Sequence, residues 1–218
     1  MSIFWYNMPH ASSKLSMKDY NSRFAQIIKA PDARLRVKTK PVKKINQALK
    51  NTLKEMIKLT KTFQDPEGVG LAATQIGNDE CYFIGRLHRS KKIPPSNPGQ
   101  RQERWAGYDK GFSAIINPKI LSCSKTARTY FEGCLSIPSI WGEVKRYTSI
   151  KATYQNIDGK QITEALKGVS AWIFQHEVDH LNGVLFSDRV LEQKGKFYRF
   201  TGKDKTGTDV FEEIAIEK

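Results

Sequence analysis

The 218 residues carry 36 Lys and Arg against 22 Asp and Glu, a formal net charge of +14, in a length that suffices for one core of its own. No run of about 18 apolar residues occurs, which excludes a membrane-spanning helix, and the three cysteines, Cys81, Cys123 and Cys134, lack disulfide-framework spacing, as expected of a chain in a reducing compartment. The charge favours polyanionic partners, ribosomal RNA foremost, beside the plainer reading of a solvated lysine-rich surface.

Residues 1–24 read as an N-terminal arm with several serines and no acid before Asp19. Cytoplasm is the expected location, with an organelle as the alternative should that arm be a targeting segment. Ile45, Leu49, Leu53, Met56, Leu59 and Phe63 recur every three or four residues with lysines between them, which predicts an amphipathic surface helix over 45–63. The segment Gly68-Val69-Gly70-Leu71-Ala72-Ala73-Thr74-Gln75 then reads as a loop or irregular edge whose glycines admit close backbone approach. Strands are predicted over 81–84 and 113–116, the second closed by Asn117-Pro118, with a long basic insertion at about 88–110 between them.

Further strands are predicted over 127–131, 149–155 and 161–166, the last two joined by the turn Asn156-Ile157-Asp158-Gly159. A second helix is predicted over 170–182, with Ser170 as N-cap and Gly183 at its C-terminal end. Its residues Val169, Trp172, Ile173, Val178 and Leu181 cover more than one face, so it should be buried. Residues 191–218 read as a charged tail with a short strand at 211–216. The expected fold class is α+β, antiparallel β-sheets packed around a central helix.

That helix carries His176-Glu177-Val178-Asp179-His180, an H-E-x-x-H pattern. Residues four apart share a helical face, so two imidazoles can hold one divalent ion while Glu177 stands beside the open coordination position as a base. A hydrolytic centre needs a third protein ligand. Cys134, beside a glycine and after a strand, is the best candidate, against the reading of a small buried apolar residue.

Three segments, Gly68 to Gln75 as quoted, Glu132-Gly133-Cys134-Leu135-Ser136, and Gln175-His176-Glu177-Val178-Asp179-His180-Leu181, resemble the signature of the peptide deformylase family together and in its order. The lead-in Ala30-Pro31-Asp32-Ala33-Arg34-Leu35-Arg36 is also similar to the start of that family's catalytic domain, which here would span 25–190. The resemblance implies hydrolytic removal of the formyl group from N-terminal formylmethionine of nascent polypeptides. It implies ligation of the ion by Cys134, His176 and His180, Glu177 as general base and then acid, and Gln75 with the Leu135 backbone N–H as oxyanion donors. Fe(II) is the implied ion, with Zn(II), Ni(II) or Co(II) able to substitute. Val69 and Gly70 would border the substrate backbone, and Val169, Trp172 and Ile173 would help form the methionine pocket.

One departure stands out: Trp141 occupies the place where many bacterial members carry an arginine near the substrate chain, so contacts beyond the methionine stay open. Arg146 is expected to pair with a carboxylate, Glu132 being the nearest choice. The alternatives are another H-E-x-x-H hydrolase such as a metallopeptidase, or an inactive deformylase-like protein that binds ribosomes. Oligomeric state is left open.

Overall fold

The computed structural model of the chain describes residues 27–63, 67–87 and 111–215. The arm at 1–24 and the insertion at about 88–110 lie outside them.

Helix α1, Gln47–Lys61, starts where Asn46 Oδ1 accepts from the Leu49 N–H at 2.9 Å, and Asn is a favoured N-cap for this reason. Its apolar stripe buries Leu49, Leu53 and Met56, each worth about 1.5–3 kcal/mol, while its lysines face outward. Strand β1, Gly70–Ala72, leads directly into a 3-10 turn, Ala73–Ile76, closed by Gly77 at φ 80°. Strands β2 (Tyr82–Gly85), β3 (Ser113–Cys123), β6 (Ser149–Gln155) and β7 (Gln161–Lys167) complete a five-stranded sheet in the order β1-β2-β3-β6-β7. Strands β4 (Ala127–Cys134), β5 (Ile137–Tyr147), β8 (Phe197–Lys203) and β9 (Asp209–Ile214) form a second sheet in that order. Pairing is antiparallel throughout both sheets.

Helix α2, Val169–Leu181, packs against β1, β2, β5 and β7, with Phe174 edge-on to Phe83 at 5.3 Å. Ten of its thirteen residues are buried, five of them polar, so protein surrounds most of its circumference rather than a single apolar stripe. A shorter helix α3, Phe186–Glu192, follows after Gly183 at φ 74°. It supplies Phe186 and Val190 to a second core with Leu35, Ile137, Val144, Leu185 and Phe197.

Several expectations need correcting. Asn117-Pro118 does not end β3; Asn117 takes φ 52° and the register shifts between Ile116 and Lys119, an irregularity that absorbs the proline's missing donor. Ser170 is not the N-cap of α2, because the helix begins one residue earlier behind Gly168 at φ 57°, a conformation open to glycine. The final strand covers Asp209–Ile214 and is hairpin-paired with β8, so residues 197–214 are largely sheet rather than a simple tail.

Candidate metal centre

His176 and His180 stand one turn apart on α2, with ring centroids 5.1 Å apart. Strand β4 ends at Cys134, where the register with β5 shifts after Gly133 and the turn Leu135-Ser136 reverses the chain. That turn aims the sulfur at the helix: Cys134 Sγ lies 3.2 Å from His180 Nε2. One ligand atom from each of Cys134, His176 and His180 lies within 4.8 Å of the others, a spacing that one ion with bonds of about 2.0–2.3 Å to N and S can bridge. Cys81 is packed against the main core and Cys123 is exposed at the end of β3, so neither joins the cluster.

The surrounding charges suit a cation. Burial pushes the Cys134 thiol up, but His180 and His176 beside it outweigh burial and hold it well below the ordinary thiol range, toward the thiolate that ligates metals. His176 Nδ1 meets Glu132 Oε2 at 2.8 Å, which leaves Nε2 facing the cluster. Glu132 is fully buried, and Arg146 grips it from Nε at 2.7 Å and Nη2 at 3.0 Å. The expected pairing of Arg146 with Glu132 is therefore present. Arg146 also bonds Asp179, which Arg189 holds from its far side at 2.7 Å.

Glu177 is 3 % exposed, and its Oε2 has no hydrogen-bond partner among the described residues. Burial pushes its carboxyl up to about 7, against the pull of His176 and His180. Gly70 stands directly over it: a Cβ there would overlap Glu177 Oε1. Gln75, buried in the 3-10 turn, accepts from Ala72 N–H at 2.8 Å through Oε1. Its Nε2 donates to Ser136 Oγ at 3.1 Å and toward Cys134 Sγ at 3.4 Å. Leu135 is the half-buried residue that follows the cysteine.

Gly70, Gln75, Cys134, His176, Glu177 and His180 thus come from three separated stretches of chain to one place, with Val69 and Leu135 beside Gly70 and Cys134 in the chain. Val169 and Ile173 are buried on α2 one to two turns before the histidines, with Ile173 against Gly85. Trp172 stacks on Tyr130 at 5.3 Å with rings 9° apart. Trp141 is buried and stacks on Phe131 at 5.4 Å.

Reading the sequence alone missed the contact of Glu132 with His176, and the parts of Ser136 and Asp179. A signal existed for the first: Glu132 and Cys134 are two apart on one strand, hence on one face.

The family model for polypeptide deformylase matches residues 24–196. The chain is 39 % identical to the peptide deformylase of Thermotoga neapolitana over 163 residues, 75 % of this chain and 85 % of that protein. It is similar to the crystal structure of the peptide deformylase from Thermotoga maritima, with TM-score 0.61, 38 % identity and coverage of 75 % and 95 %. The Met-Ala-Ser-bound crystal structure of a class I type b peptide deformylase from Acinetobacter baumannii matches with TM-score 0.61, 29 % identity and coverage of 75 % and 96 %.

Proposed function

The chain belongs to the polypeptide deformylase family and removes the formyl group from the N-terminus of nascent polypeptides, and we propose that Cys134, His176 and His180 hold the divalent ion this reaction uses. The observation that carries the assignment is the convergence of one sulfur and two ring nitrogens within 4.8 Å. A thiolate with two imidazoles suits borderline first-row ions; Fe(II) is the proposed native ion, with Zn(II), Ni(II) or Co(II) as substitutes. When bound, such an ion acts as a Lewis acid that brings the pKa of water from about 15.7 down toward 7.

The chain's own residues do the rest. Glu177 takes a proton from the attacking water and delivers it to the departing amine, a transfer worth roughly 10²–10⁴-fold. Its buried, unpartnered Oε2 supports that role. Gln75 Nε2 and the Leu135 N–H donate to the oxygen on which negative charge develops, each contributing about 2.7–4 kcal/mol at such a position. Support comes from Gln75 Nε2 lying 3.4 Å from the cysteine sulfur. Val69 and Gly70 border the substrate backbone, while Val169, Trp172 and Ile173 receive the methionine side chain. A peptide beginning with Met in the Acinetobacter baumannii structure is consistent with that pocket.

Formate release from formyl-Met-Ala-Ser, measured on anaerobically purified protein with metal analysis alongside, tests the assignment. One ion per chain and turnover are expected, both lost in Cys134→Ala, while Glu177→Gln keeps the ion and loses turnover. A Cys134→Ala protein that retained a full complement of metal would overturn the ligand set.

A further inference from the structure

Among the described residues, one face of the five-stranded sheet is exposed over β3, β6 and β7 and carries positive charge there. Across β3, β6 and β7 the register sets Lys119 opposite Thr153 and Thr163, Ser122 opposite Lys151 and Ala165, and Ser149 opposite Lys167. Residues paired in this way share a face, and Lys119, Ser122, Lys151, Thr163, Ala165 and Lys167 are all exposed. The three lysines fall on a diagonal, each one strand over and two residues along from the last, which spaces their Cα atoms by about 7–8 Å.

The three strands contain one carboxylate, Glu164, and it lies on the other face with Ala152 and Tyr154, accepting from the Tyr154 hydroxyl at 2.7 Å. That other face is the one covered by α2, where Phe174 lies 6.3 Å from Tyr154. None of the three lysines is ion-paired among the described residues, although lysines elsewhere are, such as Lys40 with Asp79 and Lys196 with Glu213. The face continues into a second basic element. Gln155 receives a bond from Asn117 Nδ2 at 3.0 Å, and Asn117 Oδ1 accepts from the Val42 N–H at 2.8 Å. The exposed Lys43 and Lys44 follow Val42 directly.

We propose that this face of β3, β6 and β7, centred on Lys119, Lys151 and Lys167, is a docking surface for the phosphate backbone of structured RNA. Charge complementarity carries the choice: regularly spaced ammonium groups neutralise phosphates, and the hydroxyls between them donate to phosphate or sugar oxygens. A lipid surface fits less well, because Leu121 is the exposed large apolar side chain bordering the face and shallow insertion needs an apolar stripe. The surface is separate from the metal centre, so this inference stands or falls independently of the catalytic assignment.

The test is fluorescence anisotropy of the full-length protein with a labelled RNA hairpin across a salt series. It compares Lys119→Gln/Lys151→Gln/Lys167→Gln with a charge-matched control on α1, Lys54→Gln/Lys58→Gln/Lys61→Gln. The face variant is expected to bind about tenfold or more weakly at low salt, with a log–log salt slope shallower by roughly 2–3, and with formate release unchanged. The control should stay near the parent protein. Equal losses in the two variants would mean diffuse charge and overturn the proposal, as would unchanged binding by the face variant. Binding to vesicles of mixed phosphatidylserine and phosphatidylcholine in preference to the hairpin would also overturn it.

Discussion

The Glu132 carboxylate lies 2.8 Å from His176 Nδ1 and is itself held by two guanidinium nitrogens of Arg146. A carboxylate in that place fixes the ring's tautomer and raises the basicity of the nitrogen left for the ion, and removing such a partner typically costs 10–100-fold in metal affinity. Glu132→Gln keeps the shape but weakens the hydrogen bond to His176. The expected outcome is metal affinity lower by about 10–100-fold, read by competition with a chelator, and activity partly restored by excess ion. Parent-like affinity would show that Glu132 serves only the fold, through Arg146.

At Trp141 the prediction runs against intuition. Placing an arginine there, as the family resemblance leads one to expect, should not create a substrate contact, because the indole is buried at 7 % exposure, stacked on Phe131 and edge-on to Phe211. Gly133, next to Cys134, also has no room for a Cβ against that ring. Trp141→Arg loses this packing and buries a charge, and should destabilise by about 3 kcal/mol or more. Urea unfolding measures it. A variant as stable as the parent with an improved KM for longer peptides would show that the position still belongs to the substrate groove.

How far the sequence announces this arrangement depends on the element. Helix α1 shows itself through Leu49, Leu53 and Met56 at helical spacing, and the β6–β7 hairpin through the Asp158-Gly159 turn, with Gly159 at φ 80°. Strand β5 is hidden because Pro138 and Gly142 interrupt it and because a buried position on it is filled by Arg146, so apolar alternation never appears. Helix α3 is seven residues long, too short for a 3.6-residue period to register. The pair of histidines is legible as a local pattern, whereas the meeting of Cys134 with them is a tertiary fact. Family resemblance names that cysteine; strand and helix periodicity alone do not.

Tyr198 offers a pH signature away from the metal centre. Burial raises its phenol to about 12, helped by Glu143, which accepts from the hydroxyl at 2.9 Å and adds negative charge. The folded pKa is higher than the ordinary value near 10, so the fold favours the protonated phenol. Its stabilising contribution is therefore complete below about pH 10 and is lost as pH rises toward 12. Difference ultraviolet titration between the parent and Tyr198→Phe should show one tyrosine ionising near 12, and Glu143→Gln should move that step down. A difference step near pH 10 in the parent would refute the pairing.

Gly70 is the residue on which the placement of Glu177, the proposed proton carrier, depends most sharply. A Cβ built there overlaps Glu177 Oε1, with Glu177 Cδ 2.8 Å away and Cγ 3.1 Å away. The carboxylate end of a long side chain can swing aside, so the fold survives Gly70→Ala; the displaced Glu177, 3 % exposed in the parent, then no longer points where it did. Misplacing a reacting group by about 1 Å costs on the order of 10²-fold, and that is the expected loss in kcat for formyl-Met-Ala-Ser. Metal content and the unfolding temperature should stay close to the parent, which separates this effect from a loss of structure. Retained kcat with a raised KM would instead make Gly70 a boundary of the peptide groove with no hold over Glu177.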